Sequence, residues 1–355
     1  MNDDVSERAP LRIVYLGPQA LGTNSGALAK ALRRRGHLVQ PVDPGLFLPK
    51  WGRGRLGRLI GRAMRGVAIR ELNQHILQEC ETLQPHIFFV FKGPALLPDT
   101  LEKVKQNSGA RTVLFFPDVS FYAHGDLIPK CLPHYDLIFT TKTFGVRDLR
   151  KIGLTQVEFL PHGFDPDLHC ELPHASNGLG HLQCDASFIG TWSPKKEAIL
   201  AQVKQLVPDV NLKIWGNQWE KMRAEVLQPS IVGTGIEGAG YALAIQSSII
   251  NIAILSEARQ GASSGDQITS RTFHIPASGG FMLHERTEEL RQYFTEGTEI
   301  ACFDHAEELA QKIRYYLKHP QERELLRVQG HQRCVAEDSV DARAIIIQDG
   351  LYKLI

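Results

Sequence analysis

The stretch from 247 to 283 constrains the fold more than any other part of this 355-residue chain. It begins with the apolar, isoleucine-rich run SSIINIAILS at 247–256, a composition typical of a buried β-strand. A polar segment follows, and SRTFHIPA then predicts a short helix that ends at Gly279 and Gly280, before the apolar residues 281–283. A strand, a loop, a helix and a second strand form a βαβ unit, which joins strands of a parallel sheet.

The loop at 261–270 is the predicted ligand-binding position of this unit. In open parallel sheets, ligands bind where the carboxyl ends of the strands meet the amino ends of the helices. Arg271 stands at the start of the predicted helix, where backbone N–H groups already attract an anion. The pattern indicates a phosphate or nucleotide site. It also fits a purely structural helix end at the two glycines and a solvated Arg271.

The sequence GTWSPKKE at 190–197 indicates a second anion-binding position. It predicts a tight loop after a strand, followed by a helix that begins with two lysines. Cations are unfavourable at the amino end of a helix dipole, so Lys195 and Lys196 suggest an anionic ligand. The alternative is that Glu197 neutralises one of them locally.

The beginning of the chain predicts another sheet of the same kind. Residues 11–17 read as a buried strand that ends in glycine, and ALAKALRRR at 27–35 is rich in strong helix formers. This opening is Rossmann-like, although its glycines do not form the GxGxxG fingerprint of a dinucleotide site. We expect the backbone near Gly22 and Thr23 to approach a ligand closely.

Two charged residues follow apolar strands in this first half. Lys92 comes directly after HIFFVF at 86–91, and Asp118 follows the strand at 112–116 across a single proline. Both positions are carboxyl ends of predicted parallel strands, where reactive side chains are found. Asp118 is therefore a predicted catalytic carboxylate and Lys92 a predicted ligand contact. The alternatives are a Pro-Asp turn and an ordinary exposed lysine.

Residues 50–70 carry seven cations, and no acidic residue occurs between Asp43 and Glu71. If this segment is helical, Arg58, Arg62 and Arg65 share one face. Such a segment can lie on an anionic membrane or bind an anionic acceptor. Its five glycines oppose helix formation, so a solvated basic face is the alternative.

The composition argues against several functional classes. A net charge of +1 argues against general nucleic-acid binding. The six cysteines form no CxxC pair, and the histidines near residues 162–174 are irregularly spaced, so we expect neither a disulfide framework nor a metal site. Because the amino terminus is polar and no apolar run reaches the roughly 20 residues of a bilayer span, we predict a cytoplasmic protein, peripheral at the inner face of the membrane if 50–70 binds it.

Several stretches resemble a known family. SRTFHIPASGGFMLHERTEEL (270–290) and YFTEGTEIACFDHAEELAQKIRYYLKHPQER (293–323) are similar to the CgeB-like glycosyltransferases of the spore maturation protein type, relatives of glycosyltransferase group 1, or family 4. SFIGTWSPKKE (187–197), YDLIFTTK (135–142) and LPHGFDPDLH (160–169) support the likeness, which spans most of 86–335.

This resemblance implies an α/β fold of the GT-B type, with two Rossmann-like domains that face a cleft. The implied domains are an acceptor-side domain at 1–168, a linker at 169–182 and a nucleotide-sugar-binding domain at 183–337. A carboxyl-terminal helix at 338–355 would return to the first domain.

The resemblance also implies an activity. A sugar passes from a nucleotide-sugar donor to a glycan, protein or lipid-linked acceptor, without a metal or a cofactor. Asp118 acts as a base if the enzyme inverts the anomeric centre, and it positions the acceptor if the enzyme retains it. The alternatives are a sugar-nucleotide epimerase of the same architecture and a nucleotide-binding relative without catalysis.

Individual positions can be carried over from the group. Lys196 lies where the group has its diphosphate-binding lysine, whereas the position of its arginine holds Thr191. The two glutamates that the wider group carries eight positions apart correspond to Asp266 and His274. Asp266 could bond a sugar hydroxyl, and His274 a ribose hydroxyl or a phosphate.

The predicted site residues fall into three sets. The catalytic set is Asp118 and Asp266, the donor set is Lys195, Lys196, Arg271, His274, Gly279, Gly280, Gly22 and Thr23, and the acceptor-side set is Lys92, Arg58, Arg62 and Arg65.

Overall fold

The computed structural model describes residues 9–48, 55–172, 180–233 and 235–355, with side chains from residue 64 onward in the helix that begins at Arg55. The described chain forms two compact units, each built on a six-stranded parallel sheet. The first unit comprises Met1–Leu160, Arg259–Ser263 and Arg343–Ile355, and the second comprises Pro161–Ala258 and Ser264–Ala342. The predicted α/β fold with two Rossmann-like parallel-sheet domains is confirmed.

The first unit contains strands β1 to β6 in the order β2-β1-β3-β4-β5-β6. The strands are β1 (Arg12–Leu16), β2 (Leu38–Val42), β3 (Ile87–Phe91), β4 (Arg111–Phe116), β5 (Leu137–Thr140) and β6 (Val157–Phe159). Its helices are α1 (Asn24–Arg34), α2 (Arg55–Leu83), α3 (Pro98–Ser108), α4 (Leu127–Cys131) and α5 (Thr143–Lys151). The residues of α11 (Val340–Tyr352) from Arg343 onward also belong to this unit.

The middle strands of the first sheet are largely apolar because helices cover both of their faces. All five residues of β3 are buried, and its Phe89 ring stacks on Tyr15 of β1 with the ring centroids 5.1 Å apart. The polar residues that follow β3 and β4 are therefore presented at one edge of a rigid sheet.

The second unit contains strands β7 to β12 in the order β12-β11-β10-β7-β8-β9. The strands are β7 (Cys184–Ile189), β8 (Leu212–Trp215), β9 (Ile231–Gly233), β10 (Ser248–Ala253), β11 (Met282–Glu285) and β12 (Ala301–Phe303). Its helices are α6 (Pro194–Leu206), α7 (Ala239–Gln246), α8 (Ser270–Ala277), α9 (Ala306–Lys318) and α10 (Pro320–Glu337). This is the doubly wound order in which the chain direction across the sheet reverses, here between β7 and β10.

The predicted βαβ unit is present as β10, α8 and β11. Gly279 ends α8 with a left-handed φ of +74°. A Cβ on Gly280 would lie 2.4 Å from the Cγ2 of Ile245 and 2.8 Å from the Nδ2 of Asn251. The double glycine is required because one residue takes a left-handed turn and the next packs directly against β10.

The segment before β7 packs with the second unit. Phe164 forms a parallel β-bridge with Ser339, and residues 161–172 group with the second unit. Residues 161–168 group with the second compact unit, whereas the sequence predicts a domain boundary at 168, and that boundary stays a prediction. Within the described residues, no helix is both long and apolar enough to cross a membrane.

Candidate functional site

The reversal between β7 and β10 lies at the centre of the second sheet. These strands are hydrogen-bonded neighbours, with Ile250 opposite Ala186 and Asn251 opposite Ser187. The chain leaves β7 toward α6 and leaves β10 toward α8, so two helix amino ends are reached from adjacent strand ends. This crevice is where doubly wound sheets bind ligands.

The amino end of α6 places Lys196 in the crevice. Ser193 caps the helix, and its hydroxyl donates a hydrogen bond to the Oε2 of Glu257 at 2.9 Å. Lys196 is 4% exposed, and its Nζ donates to the carbonyl oxygen of Thr191 and to the Oγ of Ser256, each at 3.1 Å. The ammonium group therefore lies between the segments that follow β7 and β10.

Lys195 points to a different partner. Its Nζ forms an ion pair with the Oε1 of Glu285 at 2.5 Å, and the other carboxylate oxygen of Glu285 accepts the N–H of Leu255 at 2.9 Å. Glu285 is the last residue of β11 and thus ties the start of α6 to the end of β10. The structure places Lys195 at the crevice, but its ammonium group is already paired with the carboxylate of Glu285.

Arg271, in the first turn of α8, reaches the ends of both central strands. Its Nη2 donates to the carbonyl of Ile254 at 2.7 Å, its Nη1 to the carbonyl of Ile189 at 3.5 Å, and the guanidinium lies 5.3 Å from the centre of the Phe188 ring. Burial lowers the pKa of Arg271, while the nearby Tyr241 and Asp266 raise it. The alternative of a solvated surface charge does not hold, because the guanidinium is hydrogen-bonded to both strand ends, and its role in donor binding stays a prediction.

Asp266 is fixed in the loop before α8. Its N–H donates to the carbonyl of Ser256 at 2.8 Å, and its Oδ2 accepts the N–H of Ser256 at 3.3 Å. Asp266 is 8% exposed. Because Ser256 also bonds Lys196, one serine connects the predicted carboxylate with the predicted diphosphate-binding lysine.

His274 belongs to a buried aromatic stack. Its ring lies against the ring of His169 with centroids 3.8 Å apart, and Tyr241 packs edge-on at 5.8 Å. Burial lowers the pKa of His274 well below its usual value, and the nearby His169 and His162 lower it further. Burial lowers the pKa of His169 to about 4. The stack is uncharged at neutral pH, with the Nε2 of His274 buried and without a hydrogen-bond partner.

Gly279 and Gly280 lie at the other end of α8 from Arg271. A Cβ on Gly279 would lie 2.7 Å from the side chain of Glu171, and the Gly279 carbonyl accepts a hydrogen bond from Arg327 at 3.2 Å. Their surroundings are thus the helix end and the sheet core, and the structure does not bring them to the Lys196 cluster.

A second cluster of charged residues occurs in the first unit, at the carboxyl ends of β3 and β4. Lys92 Nζ and His124 Nε2 each lie 2.6 Å from the Oδ2 of Asp118. Burial raises the pKa of Asp118, but the His124 hydrogen bond and the Lys92 charge outweigh it and hold this pKa well below its usual range. Each of the three side chains is about one-third exposed, so the cluster is open to solvent.

The remaining predicted residues also lie in the first unit. Gly22 has a left-handed φ of +85°, and Thr23 caps α1 by accepting the N–H of Gly26. Arg65 is exposed on α2, whereas the side chains of Arg58 and Arg62 lie outside the described residues. No group of three or more metal-ligating side chains occurs in the part of the chain that the structure describes.

Sequence reasoning did not assign a site role to three residues that complete these clusters. They are His124, His169 and Glu285. His169 stands in the segment 160–169, which the resemblance includes, but its stacking partner is 105 positions away in the chain. His124 follows Asp118 by six residues, and only the turn between them places its ring on the carboxylate.

Comparisons with known proteins agree with this geometry. A family model described as "Glycosyl transferase-like" matches residues 195–349. The second half of this chain is similar to that family. The matched region includes both predicted lysines, Asp266 and all of α8, and it confirms the predicted enzyme class, a glycosyltransferase. The CgeB-like subtype stays a prediction. No curated protein sequence matches the chain.

Solved structures with the same architecture cover nearly the whole chain. A sucrose-phosphate synthase from Thermosynechococcus elongatus has a TM-score of 0.68 at 13% identity, covering 97% of this chain and 99% of its own. Anabaena HepE in complex with UDP and glucose has a TM-score of 0.66 at 11% identity, covering 97% and 100%. A glycosyltransferase from Rickettsia africae ESF-5 has a TM-score of 0.64 at 13% identity, covering 98% and 99%. At such identities these likenesses show the fold, which is GT-B.

Proposed function

We propose that this protein transfers a sugar from a nucleoside diphosphate sugar to a glycan, protein or lipid-linked acceptor, without a metal. The observation that carries the proposal is the buried ammonium of Lys196 at the β7–β10 reversal, beside the amino end of α6 and within the glycosyl transferase-like region. A diphosphate is the kind of ligand that a cation and free helix N–H groups bind at such a position.

The reaction needs this positive charge because the leaving group becomes more negative as it departs. When the bond between the anomeric carbon and the phosphate oxygen breaks, the electron pair goes to the diphosphate. Lys196, Arg271 and the amino ends of α6 and α8 would stabilise that developing charge. Asp266, anchored to Ser256, would accept a hydrogen bond from a sugar hydroxyl of the donor.

We assign the acceptor to the first unit. The support is the cluster of Lys92, Asp118 and His124 at the carboxyl edge of its sheet, together with the left-handed turn at Gly22 beside the Thr23 cap. The basic segment 50–70 would bind an anionic acceptor or an anionic membrane surface, which fits a lipid-linked acceptor. The predicted cytoplasmic location stays a prediction.

Uridine diphosphate sugars are the first donors to test, because HepE, which shares the fold, was solved in complex with UDP-glucose. The experiment measures UDP release from UDP-glucose and related donors, with and without a panel of glycan and lipid-linked acceptors, in the presence of EDTA. We expect acceptor-stimulated UDP release that EDTA does not abolish.

Two outcomes would replace this proposal. Conversion of the donor to an epimeric sugar without any acceptor would identify an epimerase. Nucleotide binding with no turnover of any donor across the acceptor panel would identify a binding protein. The replacement of the group's two glutamates by Asp266 and His274 would then explain the missing activity.

A further inference from the structure

The cluster on Asp118 contains a side chain that the predicted mechanism did not use. The sequence predicts Asp118 as the base that takes the acceptor's proton if the enzyme inverts the anomeric centre, and as a residue that positions the acceptor if the enzyme retains it. Its carboxylate instead receives two hydrogen-bond donors on one oxygen, from Lys92 and His124. A carboxylate bonded in this way has its charge satisfied and is a weak proton acceptor. The geometry therefore argues against Asp118 as the group that removes a proton.

The same contacts prepare His124 for that role. Because a carboxylate only accepts hydrogen bonds, the 2.6 Å contact between Asp118 and the Nε2 of His124 places the ring proton on Nε2. The Nδ1 atom of a neutral ring then carries the lone pair. A histidine whose far nitrogen is bonded to a buried or partly buried carboxylate is held in one tautomer and one orientation, which is the arrangement of a general base.

Lys92 shares its carboxylate oxygen with the ring. Its ammonium lies 2.6 Å from the Oδ2 of Asp118, the atom that His124 also contacts, so the carboxylate is held from two sides and keeps the ring in one orientation. Lys92 also adopts a left-handed φ of +70°, an uncommon conformation for a residue other than glycine, Asn or Asp.

We propose that the transfer inverts the anomeric centre and that His124 is its general base, with Asp118 and Lys92 as the residues that position it. This inference rests on the proposed function. The acceptor oxygen forms a bond to the anomeric carbon while the bond from that carbon to the phosphate oxygen breaks. The electron pair leaves with the nucleoside diphosphate, and the acceptor's hydroxyl proton moves to Nδ1 of His124 and then to solvent.

The kinetic test compares His124→Gln with the matched variant His134→Gln, which removes a histidine of the same unit from outside the cluster. UDP release from UDP-glucose is measured against pH, with water as the acceptor that is always present and with the best acceptor of the panel. General-base catalysis contributes about 10²–10⁴-fold, so His124→Gln should lower kcat/KM by that factor and remove the acid limb of the pH profile. His134→Gln should retain both.

The positioning roles have their own signatures. Asp118→Asn should lower kcat, because the amide no longer fixes the tautomer. Lys92→Met should lower kcat and leave the KM for the donor unchanged, because the carboxylate then holds the ring less firmly. A merely structural role for Lys92 would lower the stability of the fold but leave the kcat of the folded enzyme unchanged, and that result would overturn its assignment.

A second measurement tests the hydrogen-bonding arrangement of the His124 ring and does not depend on enzyme activity. The ¹⁵N chemical shifts of the His124 ring in the full-length protein report its tautomer at neutral pH. We expect the proton on Nε2 in the wild type and a mixture of tautomers in Asp118→Asn. A proton on Nδ1, or full activity of His124→Gln, would overturn the proposal. If the wild type turns over no donor while its tautomer is as expected, the proposed function fails instead.

Discussion

Lys196 is the residue on which donor binding should depend most. Its ammonium is buried at the strand reversal, and a hydrogen bond to a charged partner contributes about 1.5–3 kcal/mol. Lys196→Met keeps most of the apolar length of the side chain and removes its charge. We therefore expect the affinity for UDP to fall by more than about tenfold when measured by titration calorimetry.

A matched variant on the same helix separates local binding from general damage to α6. Lys204 lies in the last turn of that helix, where its Nζ donates to the carbonyls of Pro208 and Val210. Lys204→Met should bind UDP as the wild type does. If Lys196→Met also binds UDP with unchanged affinity, Lys196 does not contact the donor.

The histidine stack predicts a loss of stability in acid. The folded-state pKa of His169 is about 4, below the 6.5 of an unfolded histidine, so folding favours the neutral ring. The resulting stabilisation is complete above about pH 6.5 and is lost as the pH falls toward 4, to an extent on the order of 3 kcal/mol. His169→Phe keeps an aromatic ring and removes the titration. Its free energy of unfolding, measured in denaturant from pH 7 to 4, should fall less steeply than that of the wild type.

His319 provides the control for this experiment. Its ring stacks on Tyr315 with centroids 3.9 Å apart, but it is exposed on the surface of the second unit. His319→Phe should leave the pH dependence of stability unchanged. Parallel pH profiles for wild type and His169→Phe would show that the stack does not couple protonation to folding.

At the scale of single elements, α2 differs most from expectation. Its glycines oppose a helix, yet the helix is continuous from Arg55 to Leu83. Residues from Leu72 onward are anchored in the core, and extending an existing helix costs far less than starting one. The turns at 64–67 are exposed, including Met64 at 43% and Val67 at 36%, so this part of α2 offers apolar surface beside its cations.

This exposed end of α2 is expected to bind anionic membranes. Each cation near an anionic surface contributes about 1 kcal/mol. Changing Arg58, Arg62 and Arg65 together to Gln should therefore weaken binding to vesicles of phosphatidylglycerol and phosphatidylcholine by about 100-fold in a flotation or sedimentation assay. Changing Lys103, Arg291 and Lys318 to Gln removes the same charge elsewhere and should have a much smaller effect. If the two triple variants lose vesicle affinity equally, the exposed end of α2 acts only through the net charge of the protein and is not a membrane-binding segment.

Sequence patterns predicted the elements around the crevice because their signals are local. An apolar run, a cap and a terminal glycine lie within a few residues of each other, so α6, α8 and their flanking strands could be located. Arg271 and Lys196 could be assigned to helix starts for the same reason. The partners of Lys195, Lys196 and His274 could not be found, because Glu285, Ser256 and His169 reach them only through the tertiary fold.

At the scale of the whole molecule, the choice of nucleotide should appear as a shift in thermal stability. A ligand at 100 times its dissociation constant stabilises the folded state by about 2.7 kcal/mol, which raises the melting temperature by several degrees. We expect UDP to stabilise the protein more than GDP, TDP or ADP in a thermal-shift assay. Equal melting temperatures with all four nucleotides and without them would argue against a nucleoside diphosphate site. A larger shift with another nucleotide would reassign the donor base.

The two-unit architecture itself was predictable from the sequence, since each half repeats the alternation of buried strands and helices. The limits of the two units could not be predicted in the same way. Residues 161–168 and 259–263 are grouped by tertiary contacts, which a local sequence pattern does not contain. Asp118 could likewise be singled out by its place after a strand. Its low pKa, which changes its role, depends on Lys92 and His124.

The backbone at Lys92 has a consequence for how this protein balances folding against turnover. Glycine tolerates a φ of +70° without the cost of about 1–3 kcal/mol that a residue with a Cβ incurs, and a partly exposed ion pair returns only about 0–1 kcal/mol. Lys92→Gly should therefore resist denaturant as well as the wild type or better, while turning over substrate more slowly. A Lys92→Gly variant that is more stable but has a lower turnover rate would show that natural selection has kept catalytic activity at position 92 at the expense of stability.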